Sequence, residues 1–405
     1  MDFDSLCAEH IARLKREGRY RFFANLERRT ELFPRALWRP NPEASPREVT
    51  VWCANDYLGQ GCNPQVLGKI QEVLAMNGAG AGGTRNISGT SNEHVLLEQE
   101  LARWHGKEAA LLFTSGYQAN ETTIATLATL FPGAIFFSDA QNHASIIQGI
   151  RLARADYRIF RHNDAGHLTE LLSASPDGQP RIVIFESVYS MDGDIAPVAD
   201  LCAVAEAHGA FVYLDEVHAV GLYGENGAGI AARDGQAHRC HIIQGTLGKA
   251  IGTMGGYVVG SRLLIDALRS LAPGFIFTTA LPPALLAGSR LSVQILEKAA
   301  DLRATHRERV RLLRNLLAAA GFPMLTASSH IVPVMVGDAE KCRQLCDILL
   351  CEHSHYVQPI NYPTVPRGTE RLRLTPTPFH DPNAIQHFIS ALSASWRALD
   401  LSWAA

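Results

Sequence analysis

Short apolar runs, several ending on a polar residue, recur through the middle of this chain. Ala109–Phe113, Ala134–Ser138, Tyr157–Arg161, Arg181–Glu186, Phe211–Asp215, Ile242–Thr246 and Gly256–Gly260 all have strand length. Runs with helical spacing separate many of them, including Glu121–Leu130 and Val198–His208. This alternation predicts a mostly parallel sheet with helices on both faces. Upstream, Leu6, Ile11 and Leu14 mark one face of an amphipathic helix, and an arm with several prolines follows it. Downstream, a long helical pattern runs from about Pro283 to Ala320, then two or three strands and two helices. The reading is an α/β protein in three sections. An N-terminal helix and arm cover 1–55, a large seven-stranded domain covers 56–290, and a smaller C-terminal α/β domain covers 291–405.

Composition narrows the class. The chain has 405 residues, 47% hydrophobic content and a net charge of −3. That length allows two or three domains with large cores. No block of basic residues forms a nucleic-acid footprint, and no apolar run has the length of a membrane span. Residues Met1 to Arg21 have neither the apolar core of a signal peptide nor the acid-poor character of a transit peptide, so the expectation is a soluble cytoplasmic protein. The eight cysteines are scattered. Cys342, Cys346 and Cys351 lack paired C-x-x-C spacing and are expected to be buried thiols on a C-terminal helix rather than zinc ligands.

Open sheets of this kind bind ligands beyond the carboxyl ends of their strands. Ser138, Glu186, Asp215 and Thr246 fall there. Lys249 follows shortly, among small residues in Thr246–Ala250. A lysine in such a setting, paired with an acid at a strand end, suits pyridoxal phosphate: the amine bonds the cofactor's aldehyde and the carboxylate keeps its ring nitrogen protonated. Thr114–Asn120 leaves a strand and opens a helix with small residues first, which suits a phosphate cup with Tyr117 reaching the ligand; an ordinary Ser-capped turn has the same pattern. His143 could stack on a ring or be a plain surface histidine. His218 could donate to the ring's phenolic oxygen; a metal shared with Asp215 would lack a third nearby ligand, so no metal site is expected. Gly78–Gly83 matches G-x-G-x-x-G literally, but a helical pattern precedes it and an irregular polar run follows. That is a loop over a cleft, not a dinucleotide fingerprint. Arg371 and Arg373 share one side of a strand, as a fork for a carboxylate or as a solvated face.

Several longer stretches point the same way. They are Glu17–Arg21, Asn55–Gly59, Gly78–Thr90, Glu186–Gly193, Asp215–Gly221, Gly245–Ala250, Ala272–Thr279 and Ile360–Thr364. In these the chain resembles the α-oxoamine synthases, a branch of the fold-type I pyridoxal phosphate enzymes, over nearly its whole length. The resemblance implies that Lys249 carries the cofactor and moves the α-proton, Asp215 pairs with the ring nitrogen, His143 stacks on the ring, and His218 and Ser190 address its phenolic oxygen. It implies that Ser115, Gly116, Tyr117 and Thr246 hold the phosphate, joined by Thr278 and Thr279 of a second subunit, hence a homodimer. It implies that Arg373 binds the carboxylate of glycine with Asn55 nearby. Arg21, Thr84, Asn86, Ile87 and Thr364 would shape the acyl end of the acyl-CoA, and Ser138 joins the substrate-binding set. A cation at Arg21 favours a four-carbon diacid over an alkyl chain, so succinyl-CoA is the expected donor. The implied reaction is a decarboxylative condensation of glycine with succinyl-CoA, the first step of tetrapyrrole (heme) synthesis or the same step in a secondary pathway. The alternative is a 2-amino-3-ketobutyrate-forming relative. Two departures from the family pattern, Ala280 for serine and Phe379 for histidine, touch none of this chemistry.

Overall fold

In the computed structural model, which describes residues 2–404, all seven central strands form one sheet. From one edge the order is Ala109–Phe113, Gly256–Gly260, Ile242–Thr246, Phe211–Asp215, Arg181–Glu186, Ile135–Asp139 and Asp156–Phe160. The last five are mutually parallel. Gly256–Gly260 runs antiparallel to both its neighbours. Ile182, Val183, Ile184 and Phe185 are wholly buried in the fifth strand, each contributing about 1.5–3 kcal/mol of apolar burial. Asp156–Phe160 lies at the edge and exposes its first four residues. Glu186 is the register partner of Asp215, so the two acids end their strands side by side.

The chain divides into two units, which do not follow the chain in simple succession. The sheet belongs to the unit formed by 60–190 and 194–303. The other unit gathers 1–59, the three residues 191–193, and 304–405. Within it, Asn25–Glu27, Arg35–Arg39, Arg47–Val51 and His355–Tyr356 form a four-stranded sheet, which is why the arm belongs with the C-terminal region. A three-stranded sheet orders Val332–Met335, Arg371–Leu374 and Pro359–Ile360. Trp52, Leu313, Leu345, Leu372, Phe388 and Trp396 pack in one core there.

Two expectations are corrected. The helical pattern from Pro283 to Ala320 is two helices, Pro283–Lys298 and Ala300–Ala319. Ala299 leaves helical geometry at φ −86°, ψ 49° between them. No proline or glycine marks the break, but it falls close to where the chain passes from one unit to the other. The first helix packs on helices Pro64–Asn77 and Asn92–Trp104, so tertiary packing and not local propensity ends it. Cys342 and Cys346 are buried as expected, but Cys351 ends its helix exposed.

Candidate active site

Asp215 ends its strand 3% exposed. Its Oδ1 accepts from the Val217 N–H at 2.8 Å, and its Oδ2 from the Asn120 side-chain amide at 2.7 Å. Burial pushes the carboxyl pKa up, and these two donors oppose it. The neighbouring Glu186 is more strongly affected: burial and then the charge of Asp215 hold its pKa well above the carboxylate range. A protonated Glu186 beside an ionised Asp215 avoids two buried like charges. Glu186 Oε1 accepts the His143 N–H at 2.5 Å, which ties the Ile135–Asp139 strand's outgoing turn to the next strand. His143 is exposed, with the Tyr117 ring edge-to-face at 6.3 Å. The surrounding protein still lowers its pKa by burial, with Asp215 opposing.

Lys249 and His218 meet on this side of the sheet, Nζ to Nε2 at 2.8 Å. Thr246 Oγ accepts from the Gly248 N–H at 3.2 Å and donates to the Gly255 carbonyl at 3.0 Å. Opposite it, Ser115 caps the helix Gly116–Leu130, its Oγ accepting from the Gln118 N–H at 3.1 Å. The N–H groups of Gly116 and Tyr117 start that helix and have no preceding turn to bond. A Cβ on Gly116 would stand 3.3 Å from both Thr246 Oγ and Gln244 Nε2, and one on Gly256 would meet the Gly116 nitrogen at 2.5 Å. Glycines therefore keep a small cradle open between a helix N-terminus and a threonine hydroxyl. An anion fits such a place. A cradle for phosphate, an amine for an aldehyde and a buried acid for a ring nitrogen match the three polar ends of pyridoxal phosphate.

The glycine-rich segment has more structure than the expected irregular run. Arg85–Gly89 forms a wide helical turn. Arg85 holds it by a two-pronged bond to Glu98, at 2.9 and 3.2 Å. A Cβ on Gly89 would lie 2.3 Å from the Gly83 carbonyl oxygen, so only glycine closes this turn. Thr84 Oγ donates to Asn86 Oδ1 at 2.7 Å, and Ile87 is 79% exposed at the tip. Thr84 pairs with Thr279 in an isolated bridge of the same chain, which leaves Thr279 exposed and Thr278 half-buried. Ser138 is buried and accepts from the Asn142 amide at 2.9 Å, so its hydroxyl serves the turn. Ser190 is half-buried just before the crossing at 191–193.

The other unit holds the arginines. Both are buried, at 4% for Arg371 and 6% for Arg373, which removes the solvated-face reading. Arg371 is ion-paired with Asp192 and donates to the Met191 carbonyl at 3.3 Å. Arg373 has neutral neighbours, Asn55 Oδ1 at 3.2 Å and Tyr57 Oη at 3.0 Å. Arg21 and Thr364 lie on the surface of this unit, Thr364 directly after the Asn361–Pro363 turn.

Sequence reading missed Asn120, Ser145 and Glu216. Glu216 is fully buried and accepts from Ser187 Oγ at 2.5 Å and from the Ile230 and Ala231 N–H groups at 3.0 and 2.7 Å. It fastens the segment that leaves Asp215. No local pattern signals such bonds, because their partners are distant in the chain. Among the described residues no group of three or more His, Cys, Asp or Glu side chains is arranged to hold a metal.

This architecture and these residues define a fold-type I pyridoxal phosphate enzyme. The family model for aminotransferase class I and II matches residues 47–392. Serine palmitoyltransferase from S. paucimobilis, solved with bound PLP, superposes with a TM-score of 0.90 at 33% identity, covering 98% of each chain. An 8-amino-7-oxononanoate synthase from Francisella tularensis matches at 0.73 and 26%, over 86% of this chain and 98% of its own. Among curated proteins, 5-aminolevulinate synthase of Rhizobium meliloti is 55% identical over 98% of both chains. 5-Aminolevulinate synthase 2 of Cereibacter sphaeroides is 53% identical over all of this chain and 98% of its own. The non-specific mitochondrial enzyme of Gallus gallus is 51% identical, and this chain spans 63% of its length. The chain belongs to the 5-aminolevulinate synthase family.

Proposed function

We propose that the protein condenses glycine with succinyl-CoA and releases 5-aminolevulinate, coenzyme A and carbon dioxide, with pyridoxal phosphate as cofactor. The observation that carries this reading is the arrangement of Lys249, His218, Asp215 and the Gly116–Thr246 cradle at one end of the sheet, in a chain 50–55% identical to 5-aminolevulinate synthases. Lys249 would carry the cofactor, Asp215 would face its ring nitrogen, and the N–H groups of Gly116 and Tyr117 with Ser115 and Thr246 would take its phosphate. When bound, pyridoxal phosphate supplies an electron sink for the carbanion made at the glycine α-carbon.

The chain's own groups do the rest. A neutral Lys249 amine takes the α-proton and later returns one to the product. His218, 2.8 Å away, helps to orient that amine. His143 covers the ring face from the end of its strand. Arg373 holds the glycine carboxylate, a role supported by its charge, its burial and the Asn55 and Tyr57 side chains that orient its guanidinium. After C–C bond formation expels coenzyme A, the adduct is a β-keto acid, and loss of its carboxylate as carbon dioxide leaves the second carbanion for Lys249 to protonate. Arg21 is assigned the far carboxylate of the succinyl group, and Thr84, Asn86, Ile87 and Thr364 are assigned to the acyl end. Thr278 and Thr279 would reach the phosphate of a second copy in a homodimer; their position on an exposed segment beside Phe277, itself 81% exposed, supports this.

The test is product identification by mass spectrometry from purified, cofactor-loaded protein given glycine and succinyl-CoA. 5-Aminolevulinate is expected in equal amount to released coenzyme A. Release of coenzyme A with no 5-aminolevulinate would overturn the reading. Arg21→Leu is expected to lose more kcat/KM with succinyl-CoA than with butyryl-CoA, by about ten-fold or more; equal losses would remove Arg21 from the acyl site.

A further inference from the structure

Asn120 lies in the second turn of the helix Gly116–Leu130 and is 2% exposed. Its side chain makes three hydrogen bonds, one through the oxygen and two through the nitrogen. Oδ1 accepts from the Tyr213 hydroxyl at 2.7 Å. One Nδ2 hydrogen goes to Asp215 Oδ2 at 2.7 Å and the other to Ser145 Oγ at 3.0 Å. Asp215 fixes which end of the amide is which, since a carboxylate oxygen accepts from Nδ2–H, and the Tyr213 hydroxyl then donates to Oδ1. With both amide hydrogens committed, Ser145 Oγ accepts from Asn120 and is left to donate to His143 Nδ1, 2.7 Å away. The Ser145 N–H also points at that nitrogen, at 3.2 Å. His143 Nδ1 is thus an acceptor twice over, which places the imidazole's proton on Nε2.

We propose that Asn120 is a positioning residue which, through one side-chain amide, sets the carboxylate plane of Asp215 and directs the Ser145 hydroxyl proton onto His143 Nδ1, reinforcing the tautomer that the Ser145 N–H also selects. It touches neither substrate nor cofactor. It couples the acid proposed to meet the ring nitrogen to the imidazole proposed to cover the ring face, so the two cannot reorient separately. The inference rests on the cofactor reading above. Every hydrogen bond in the chain Tyr213–Asn120–Asp215 and Asn120–Ser145–His143 lies within one unit.

The experiment compares Asn120→Leu, Ser145→Ala, Tyr213→Phe and Asp215→Ala with the parent protein. Affinity for pyridoxal phosphate is read by equilibrium titration, and the His143 nitrogens by NMR of protein carrying labelled histidine. Asn120→Leu removes both donors at similar volume. It is expected to weaken pyridoxal phosphate binding by about ten-fold, the loss of one charge-assisted hydrogen bond, and to shift the His143 nitrogens away from the single-tautomer pattern. Ser145→Ala should shift the His143 nitrogens and leave affinity within about two-fold, because it acts on one branch only. If Asn120→Leu does not fold, Tyr213→Phe decides, since it deletes one oxygen: an affinity loss of a few-fold is expected. A folded Asn120→Leu, or failing that a Tyr213→Phe, with parental affinity and parental His143 signals would overturn the proposal. Asp215→Ala separates the two levels. If it binds cofactor normally, the reading of the site itself fails; if it binds poorly while Asn120→Leu binds well, only the role of Asn120 fails.

Discussion

Two lysine and arginine side chains show how a residue's neighbours set its use. Lys249 sits half-buried with His218 Nε2 at 2.8 Å, and Arg373 sits buried among neutral partners. The histidine orients the lysine amine, and the amide and phenol orient the guanidinium. Lys249→Ala is expected to cut turnover by at least about a thousand-fold while far-UV circular dichroism and thermal midpoint stay close to the parent's. Sustained multiple turnover by that variant would dismiss Lys249 as the proton carrier. Arg373→Leu is expected to raise KM for glycine about fifty-fold or more, since a buried two-pronged contact to a carboxylate is lost. Arg371→Leu acts differently: it leaves Asp192 without its partner, so the loss should appear in thermal stability first. Steady-state kinetics beside thermal melts distinguishes the two arginines.

At the scale of elements, the turns leaving the sheet depend on one imidazole. His162 Nδ1–H donates to Asp139 Oδ1 and Nε2–H to Asp194 Oδ2, both at 2.8 Å. Asp139 ends a strand, and Asp194 follows the three residues lent to the other unit. Burial disfavours a charged ring here, but the hydrogen bonds and charges of Asp139 and Asp194 outweigh it and push the His162 pKa up to about 10 from 6.5. The folded value is the higher one. The stabilisation is therefore complete below the unfolded pKa near 6.5 and disappears as pH rises through about 10. Thermal midpoints measured from pH 6 to 10 are expected to fall for the parent and to fall less for His162→Gln. At pH 6 that variant should be less stable by about 2 kcal/mol, a partly solvated pair being worth less than a fully buried one. Parallel pH profiles would show that the imidazolium is not the clamp.

The whole molecule adds the question of a partner copy. Thr278 and Thr279 follow the exposed Phe277, and Thr279 is exposed as well. If each supplies a phosphate contact to a second copy, a symmetric dimer exchanges them across its axis. Mixing Lys249→Ala chains with chains carrying Thr278→Ala and Thr279→Val should then restore activity. Half of the randomly formed dimers are mixed, and each has one intact site of two, so about one quarter of parental activity is expected after unfolding and co-refolding. No recovery above the two separate variants would mean that each site is built from a single chain.

Much of the site was legible because its chemistry follows strand ends. Apolar runs closing on Glu186, Asp215 and Thr246 announce a sheet and its ligand side together, and a lysine among small residues needs no distant neighbour to be recognised. These are local signals: burial fixes the strand, and alternation with helices fixes the parallel order. The tertiary structure alone decided what depends on residues far apart in the chain. It broke the helical pattern at Ala299 because its two halves pack in different units. It separated two identical arginines by giving one of them Asp192, and it made Asn120 the hinge between Asp215 and His143. Hydrogen-bond partners 25 to 180 positions away leave no periodicity to read, since only the folded chain brings their atoms to 2.7–3.3 Å.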